Sequence, residues 1–190
     1  MRYPAEETAQ RHAKILDEAS RLFRDRGFAG VGVVEIMKAA GLTHGSFYNH
    51  FDSKQALISE CVGHAATKSL SDIKDRDPTA AGRDQYVVDY LSLAHRDDPG
   101  SGCLMSALAT EVAKEPTVRP SMSGFVTAFI ETLRAQFPWK ARSRAREEAI
   151  QTTATLVGAM ILARAVDDDA LSREILQVVS DGLRRANPKA

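Results

Sequence analysis

AAGLTHGSFYNHFDSKQAL, residues 39–57, reads as two helices that meet at Gly41. The second is unlike a helix built only for packing. Between Thr43 and His50 it carries small residues and a row of hydrogen-bonding side chains where leucines would otherwise stand. Leu42, Phe47 and Phe51 fall on one face, able to pack against Ile36 and Leu22, and Thr43, His44, Ser46, Asn49 and His50 face outward. A buried rear with a polar front is what an element in the DNA major groove requires, with short polar side chains at base edges and the helix N-terminus beside phosphate. Gly45 fits this reading: glycine costs a helix interior about 1 kcal/mol relative to Ala, and here it lets the backbone approach a base or a thymine methyl. Tyr48, His50 and Lys54 are placed to reach phosphates. The Thr43 hydroxyl is expected to cap this helix on the amide of Ser46, and Asp52 with Gln55 to form a capping box for the next one.

Outward from this stretch the apolar period is helical throughout, with no alternating strand pattern and no repeat. Ile15, Leu16, Ala19, Leu22 and Phe23 stripe a first helix that Gly27 closes as a left-handed cap. Val33, Val34, Ile36, Met37 and Ala40 make a short second one, so the helix-turn-helix covers about 33–51. A fourth helix runs over about 54–74 before DRDPTAAG breaks the chain. A fifth carries Val87, Tyr90, Leu91 and Ala94 and stops at RDDPGSG; a sixth covers about 103–114. Met122, Phe125, Val126, Phe129, Ile130, Leu133 and Phe137 stripe a seventh. The last two, about 144–166 and 169–185, are separated by DDD. The expected fold is all-α with about nine helices: a DNA-binding domain over 1–53 and a larger helical domain over 54–190.

Composition narrows the function. The 190 residues carry no formal net charge, and residues 1–54 hold eight Lys/Arg against seven Asp/Glu, so any contact with nucleic acid is local. The N-terminus lacks the apolar stretch of a signal peptide, and the most apolar run, 154–166, is shorter than the roughly 20 residues of a membrane span and contains Arg164. A cytosolic protein with no membrane partner is expected, its two cysteines reduced. GFAGVG lacks the GxGxxG order and a preceding strand, so no nucleotide or other cofactor is expected. Cys61 and His64 are spaced i, i+3 but lack a third ligand nearby, which argues against a metal. Cys103 with His95 resembles a nucleophile and base of a cysteine-dependent enzyme, yet no orienting acid or oxyanion site accompanies them, and no catalysis is expected. Cys103 itself stands near a helix N-terminus, the setting in which reactive cysteines arise, or it is a small buried apolar residue. Arg164, alone in an apolar helix, is either an anion-recognising group or a snorkelling one.

ILDEASRLFRDRGF followed by VVEIMKAAGLTHGSFYNHFDSKQALI resembles the N-terminal domain of the TetR family of bacterial transcriptional regulators. The resemblance covers about the first third of the chain and joins in one register the LF…GF end of the first helix, the AAG turn, Gly45, Tyr48, Phe51 and Lys54. It implies a homodimeric regulator, most simply a repressor, that binds a palindromic operator through Thr43, His44, Gly45, Ser46, Tyr48, Asn49, His50 and Lys54 and is released by a small-molecule inducer. It also implies a ligand pocket, for which Tyr86, Tyr90, His95, Cys103, Phe125, Phe129 and Arg164 are the candidates. The alternative is a thiol-based redox or electrophile sensor of the same fold acting through Cys103. The last two helices, with Ala154, Val157, Gly158, Ile161, Leu171, Ile175, Val178 and Val179, are expected to pair with their symmetry mates in a four-helix interface. Two positions depart from the family: Val31 and Gly32 stand where Ser or Thr usually caps the second helix, and His44 where Lys or Arg is frequent. The fourth helix is expected to link ligand to DNA.

Overall fold

Two glycines in left-handed backbone shape the N-terminal third in the computed structural model, which describes residues 5–185. Gly27 has φ 74° and Gly41 φ 72°, conformations that residues with a Cβ adopt only at a cost. Gly27 ends α1 (Ala5–Arg26), and Gly41 turns the chain out of α2 (Val33–Ala39). The next segment differs from expectation: His44–Asn49 is a 3₁₀ helix of six residues rather than an α-helix. Ser46 N donates to Thr43 O (3.1 Å) and His50 N to Phe47 O (2.9 Å). Gly45, Ser46 and Asn49 are poor helix formers, and too few residues lie between Gly41 and the next cap to favour a full α-helical nucleus.

Both expected caps shift accordingly. Thr43 makes no side-chain capping bond; its carbonyl serves instead. The cap of α3 (Lys54–Lys74) is Ser53, whose extended backbone (φ −160°, ψ 166°) lets its hydroxyl accept from Ala56 N at 3.1 Å, so the Asp52–Gln55 box is one residue out of register. Ser53→Ala should lower stability by about 1 kcal/mol, and Asp52→Ala by clearly less, in paired urea titrations.

Beyond α3 come α4 (Ala80–Tyr90), α5 (Leu93–Asp97), α6 (Leu104–Val112), α7 (Arg119–Gln136), α8 (Ala145–Ala165) and α9 (Asp169–Arg185). Nine α-helices lie among the described residues, the expected number, but α5 replaces the recognition segment in that count. The helix expected through Ala94 stops at Tyr90 because Ser92 turns outward and caps α5 by accepting from His95 N (3.1 Å).

One apolar core runs the length of the molecule. Phe23, Ile36, Phe47 and Leu57 fill its N-terminal end, and Leu108, Phe129, Leu133, Leu156 and Met160 the other. The α3 helix packs on α1 at one end and on α7 along its length, and α8 lies between α7 and α9. Among the described residues no helix is long and apolar enough to cross a membrane.

Candidate functional site

Phe47 (1% exposed) and Phe51 anchor the 3₁₀ segment to the core, and their ring centroids are 5.6 Å apart. With that rear fixed, Thr43, His44, Gly45, Tyr48 and Asn49 are exposed, and Ser46 and His50 half-buried. A Cβ on Gly45 would meet nothing within 4 Å, so packing within the chain gives no reason for glycine there. Ser46 Oγ donates to Thr43 O (2.7 Å), which leaves it free to act outward only as an acceptor. His50 turns partly inward beside His12, at 5.8 Å between centroids, and burial, then the neighbouring His12 and Arg11, lower its pKa. His12 in turn stacks on Phe51 and meets Glu60 Oε2 at 2.8 Å.

Lys54 corrects the expectation of a phosphate contact ready for use. Its Nζ donates to Phe28 O (2.5 Å) and Val31 O (2.6 Å), above the Phe23 ring. The ammonium thereby fastens the loop before α2 to the first turn of α3. Gly32, at the start of α2, has no side-chain cap, as its lack of a hydroxyl requires.

The second feature is a cavity of about 290 Å³ among α3, α4, α5, α7 and the loop that leads into α6. Tyr86, Tyr90, His95, Cys103 and Phe129 line it, together with Asp72, Arg76, Asp89, Asp98, Ser101 and Gly102. Two expected residues are elsewhere. Phe125 is in the core, 3% exposed, because its place on the α7 stripe turns it inward. Arg164 does not line the cavity; its guanidinium donates to Arg96 O (3.0 Å), His95 O and Ser106 Oγ (3.2 Å). The Arg76–Asp89 ion pair on the wall escaped the sequence reading, since DRD looked like a breaker and its partner lies one helix away.

His95 closes one side. Its Nδ1 donates to Tyr90 O (2.6 Å) and its Nε2 accepts from Cys103 N (2.8 Å), which fixes the tautomer and rules the ring out as a base for the thiol. Burial holds its pKa below 6.5; the bond to Tyr90 O opposes this, and Arg164 reinforces it. The folded state therefore binds fewer protons than the unfolded one just below that value. The His95 contribution to stability is full above about pH 6.5 and is lost as pH falls through the folded pKa. Urea titrations from pH 7.5 to 5 should show a decline that is shallower in His95→Gln.

The same part of the chain touches the N-terminal helices. Arg24 Nε on α1 donates to Gly100 O (2.7 Å), and Phe28 N, just past Gly27, donates to Glu111 Oε2 on α6 (2.7 Å). Cys61 and His64 do not converge: Cys61 is buried against Leu16 O (3.8 Å), and His64 meets Asp17 Oδ1 at 2.6 Å on the surface.

On α8 and α9 the expected interface residues divide. Val157, Ile175 and Val179 pack partly against their own core, while Ala154, Leu171 and Val178 are exposed. Ile150 (42%) and Leu162 (56%) extend that exposed apolar surface and were not foreseen, because helical periodicity alone does not say which of two apolar flanks meets the chain's own core.

A helix-turn-helix end joined to a cavity-bearing helical domain defines a transcription regulator rather than an enzyme. Residues 15–61 match the family model described as bacterial regulatory proteins, tetR family. An HTH-type transcriptional regulator of Mycobacterium tuberculosis is 30% identical over 138 residues, covering 70% of this chain and 68% of its own. The HTH-type transcriptional repressor DhaR of a Mycobacterium species is 28% identical over 103 residues, covering 52% and 50% of the two chains. In fold, the reduced form of Escherichia coli NemR aligns with a TM-score of 0.76 at 22% identity, covering 95% of this chain and 98% of that one. The chain belongs to the TetR family of bacterial transcriptional regulators.

Proposed function

We propose that the chain is a homodimeric repressor of the TetR type, with residues 1–53 as its DNA-binding unit and 54–190 holding the effector. Its recognition segments read an inverted-repeat operator, and a small molecule in the cavity releases it. The observation that carries this reading is the double use of 100–111. Ser101, Gly102 and Cys103 form cavity wall, while Gly100 O and Glu111 hold Arg24 and Phe28 of the DNA-binding end. A ligand that shifts this segment shifts both struts, and it acts only by binding better to the conformer in which the two recognition segments miss successive major grooves, about 34 Å apart. The route through α6 adds to the one expected through α3.

Thr43, His44, Gly45, Ser46 and Asn49 are assigned to base edges, with Tyr48 and His50 at phosphates. Lys54 acts behind them by fixing the loop. The exposed apolar surface of α8 and α9, with Ala154, Leu162, Leu171 and Val178, is assigned to the twofold interface. The thiol-sensing alternative is favoured by the place of Cys103 in the cavity wall.

The test is selection of bound duplexes from a random pool by the purified protein, followed by sedimentation with and without the selected DNA. An inverted repeat bound by a dimer is expected; a sequence-independent pool, or a monomer on DNA, sinks the proposal. On the selected operator Tyr48→Phe should weaken all sequences alike, whereas Thr43→Ala should change the preference among operator variants by about 1–3 kcal/mol.

A further inference from the structure

Tyr90 carries a buried hydroxyl that the chain itself does not satisfy. The residue is 7% exposed and lines the cavity, and its Oη has no hydrogen-bond partner among the described residues. The Cys103 thiol and the Ser106 hydroxyl are the side chains close enough to influence it, and Ser106 is committed elsewhere: its Oγ donates to Cys103 O (3.0 Å) and accepts from Arg164 Nη1 (3.2 Å). A buried donor in this state is costly, and a ligand oxygen in the cavity would complete it.

Beside Tyr90 stands Cys103. It is the first boundary residue of α6, its side chain makes no capping bond, and it is half-buried in the cavity wall. The other cysteine contrasts with it: Cys61 is 3% exposed, outside the cavity, and its thiol pKa is raised by burial. The rest of the lining mixes the apolar Tyr86, Phe129 and Ala94 with the polar Asp72, Arg76, Asp89, Asp98 and Ser101, and the volume of about 290 Å³ is at the small end of organic-ligand pockets.

We propose that this cavity takes small α,β-unsaturated carbonyl compounds, which Cys103 Sγ captures at the β-carbon while Tyr90 Oη donates to the carbonyl oxygen. The inference rests on the effector reading above and names the ligand class. The thiol gives its proton to water; the sulfur–carbon bond forms as the alkene π pair moves toward the carbonyl oxygen; and the resulting enolate takes a proton from water at the α-carbon. The whole enone is added, and no oxidant or reductant is consumed. His95 stays out of the proton transfers because both ring nitrogens are engaged. The phenol acts where negative charge develops, as an oxyanion donor does.

The experiment treats the full chain with 2-cyclohexen-1-one, with saturated cyclohexanone and with iodoacetamide, and follows intact mass and peptide maps. A single enone addition at Cys103 is expected, none with cyclohexanone and none in Cys103→Ser. Tyr90→Phe, checked for a urea midpoint no lower than that of the parent, should slow enone addition about a hundredfold and leave iodoacetamide labelling of Cys103 at the parent rate, since displacement of iodide places no charge on the carbonyl oxygen. Enone addition at Cys61 instead, no addition to the folded chain, or equal enone rates in the parent and Tyr90→Phe would overturn the proposal. Retention of the selected operator is measured on the same samples. Loss of retention on addition supports the whole reading, whereas a Tyr90-dependent adduct that still holds DNA keeps the covalent site and rejects its effector role.

Discussion

Phe47→Ala should destabilise the protein by about 3–5 kcal/mol and abolish operator binding. Phe47 is 1% exposed and is the buried anchor of a six-residue 3₁₀ helix that has no capping side chain. Its ring meets Phe51 at 5.6 Å and Tyr48 edge-on at 5.2 Å. Without it, only Phe51 and three-residue backbone turns hold the segment, and these are too weak to fix a recognition surface. Stability of a domain is about 5–15 kcal/mol in total, so the loss is large in the urea midpoint as well as in DNA retention. Tyr48→Ala is the matching control. Tyr48 is 69% exposed, so its removal should leave the midpoint within about 0.5 kcal/mol while weakening DNA binding. Equal loss of stability in the two variants would mean that the segment's polar face is held by something other than its buried rear.

The split between Phe47 and its neighbours was legible in the sequence because it depends on which face a residue occupies, and the order of apolar residues fixes that. The glycine stops at Gly27 and Gly41 were legible for a related reason: each sits where an apolar stripe ends. What the sequence hid was set by competition among neighbours. Ser53 and Asp52 are both good caps one residue apart, and only the backbone angles chose Ser53. Lys54 could reach outward to phosphate or inward to carbonyls, and the carbonyls of Phe28 and Val31 drew it inward. The cavity was half legible. Its aromatic walls follow from the stripes of α4 and α7, whereas the Arg76–Asp89 pair and the Glu111 bond to Phe28 N join residues 13 and 83 positions apart. No local period encodes such contacts. The orphaned Tyr90 hydroxyl was hidden for the same reason: an unmade bond has no sequence pattern.

Arg164→Met should cost about 3 kcal/mol although it keeps the length and apolar character of the side-chain stem. The guanidinium reaches from the last turn of α8 to the carbonyls of His95 and Arg96 in α5, and to Ser106 Oγ in α6. A cation at the C-terminal end of α5 is favoured by the carbonyls left without helical partners there, and the planar fork serves several acceptors at once. Burial works against its charge, so the pKa of Arg164 is lowered, and the bonds must offset that cost. Met removes the bonds and leaves the acceptors stranded. Lys retains the charge at a single point and should recover only part of the loss. The same carbonyl of His95 belongs to the residue that holds Cys103 N, so Arg164→Met should also loosen the wall of the cavity and speed iodoacetamide labelling at Cys103. Urea titration and labelling rate together decide the matter. A Met variant as stable as the parent, with unchanged labelling, would show that Arg164 contributes through its stem alone.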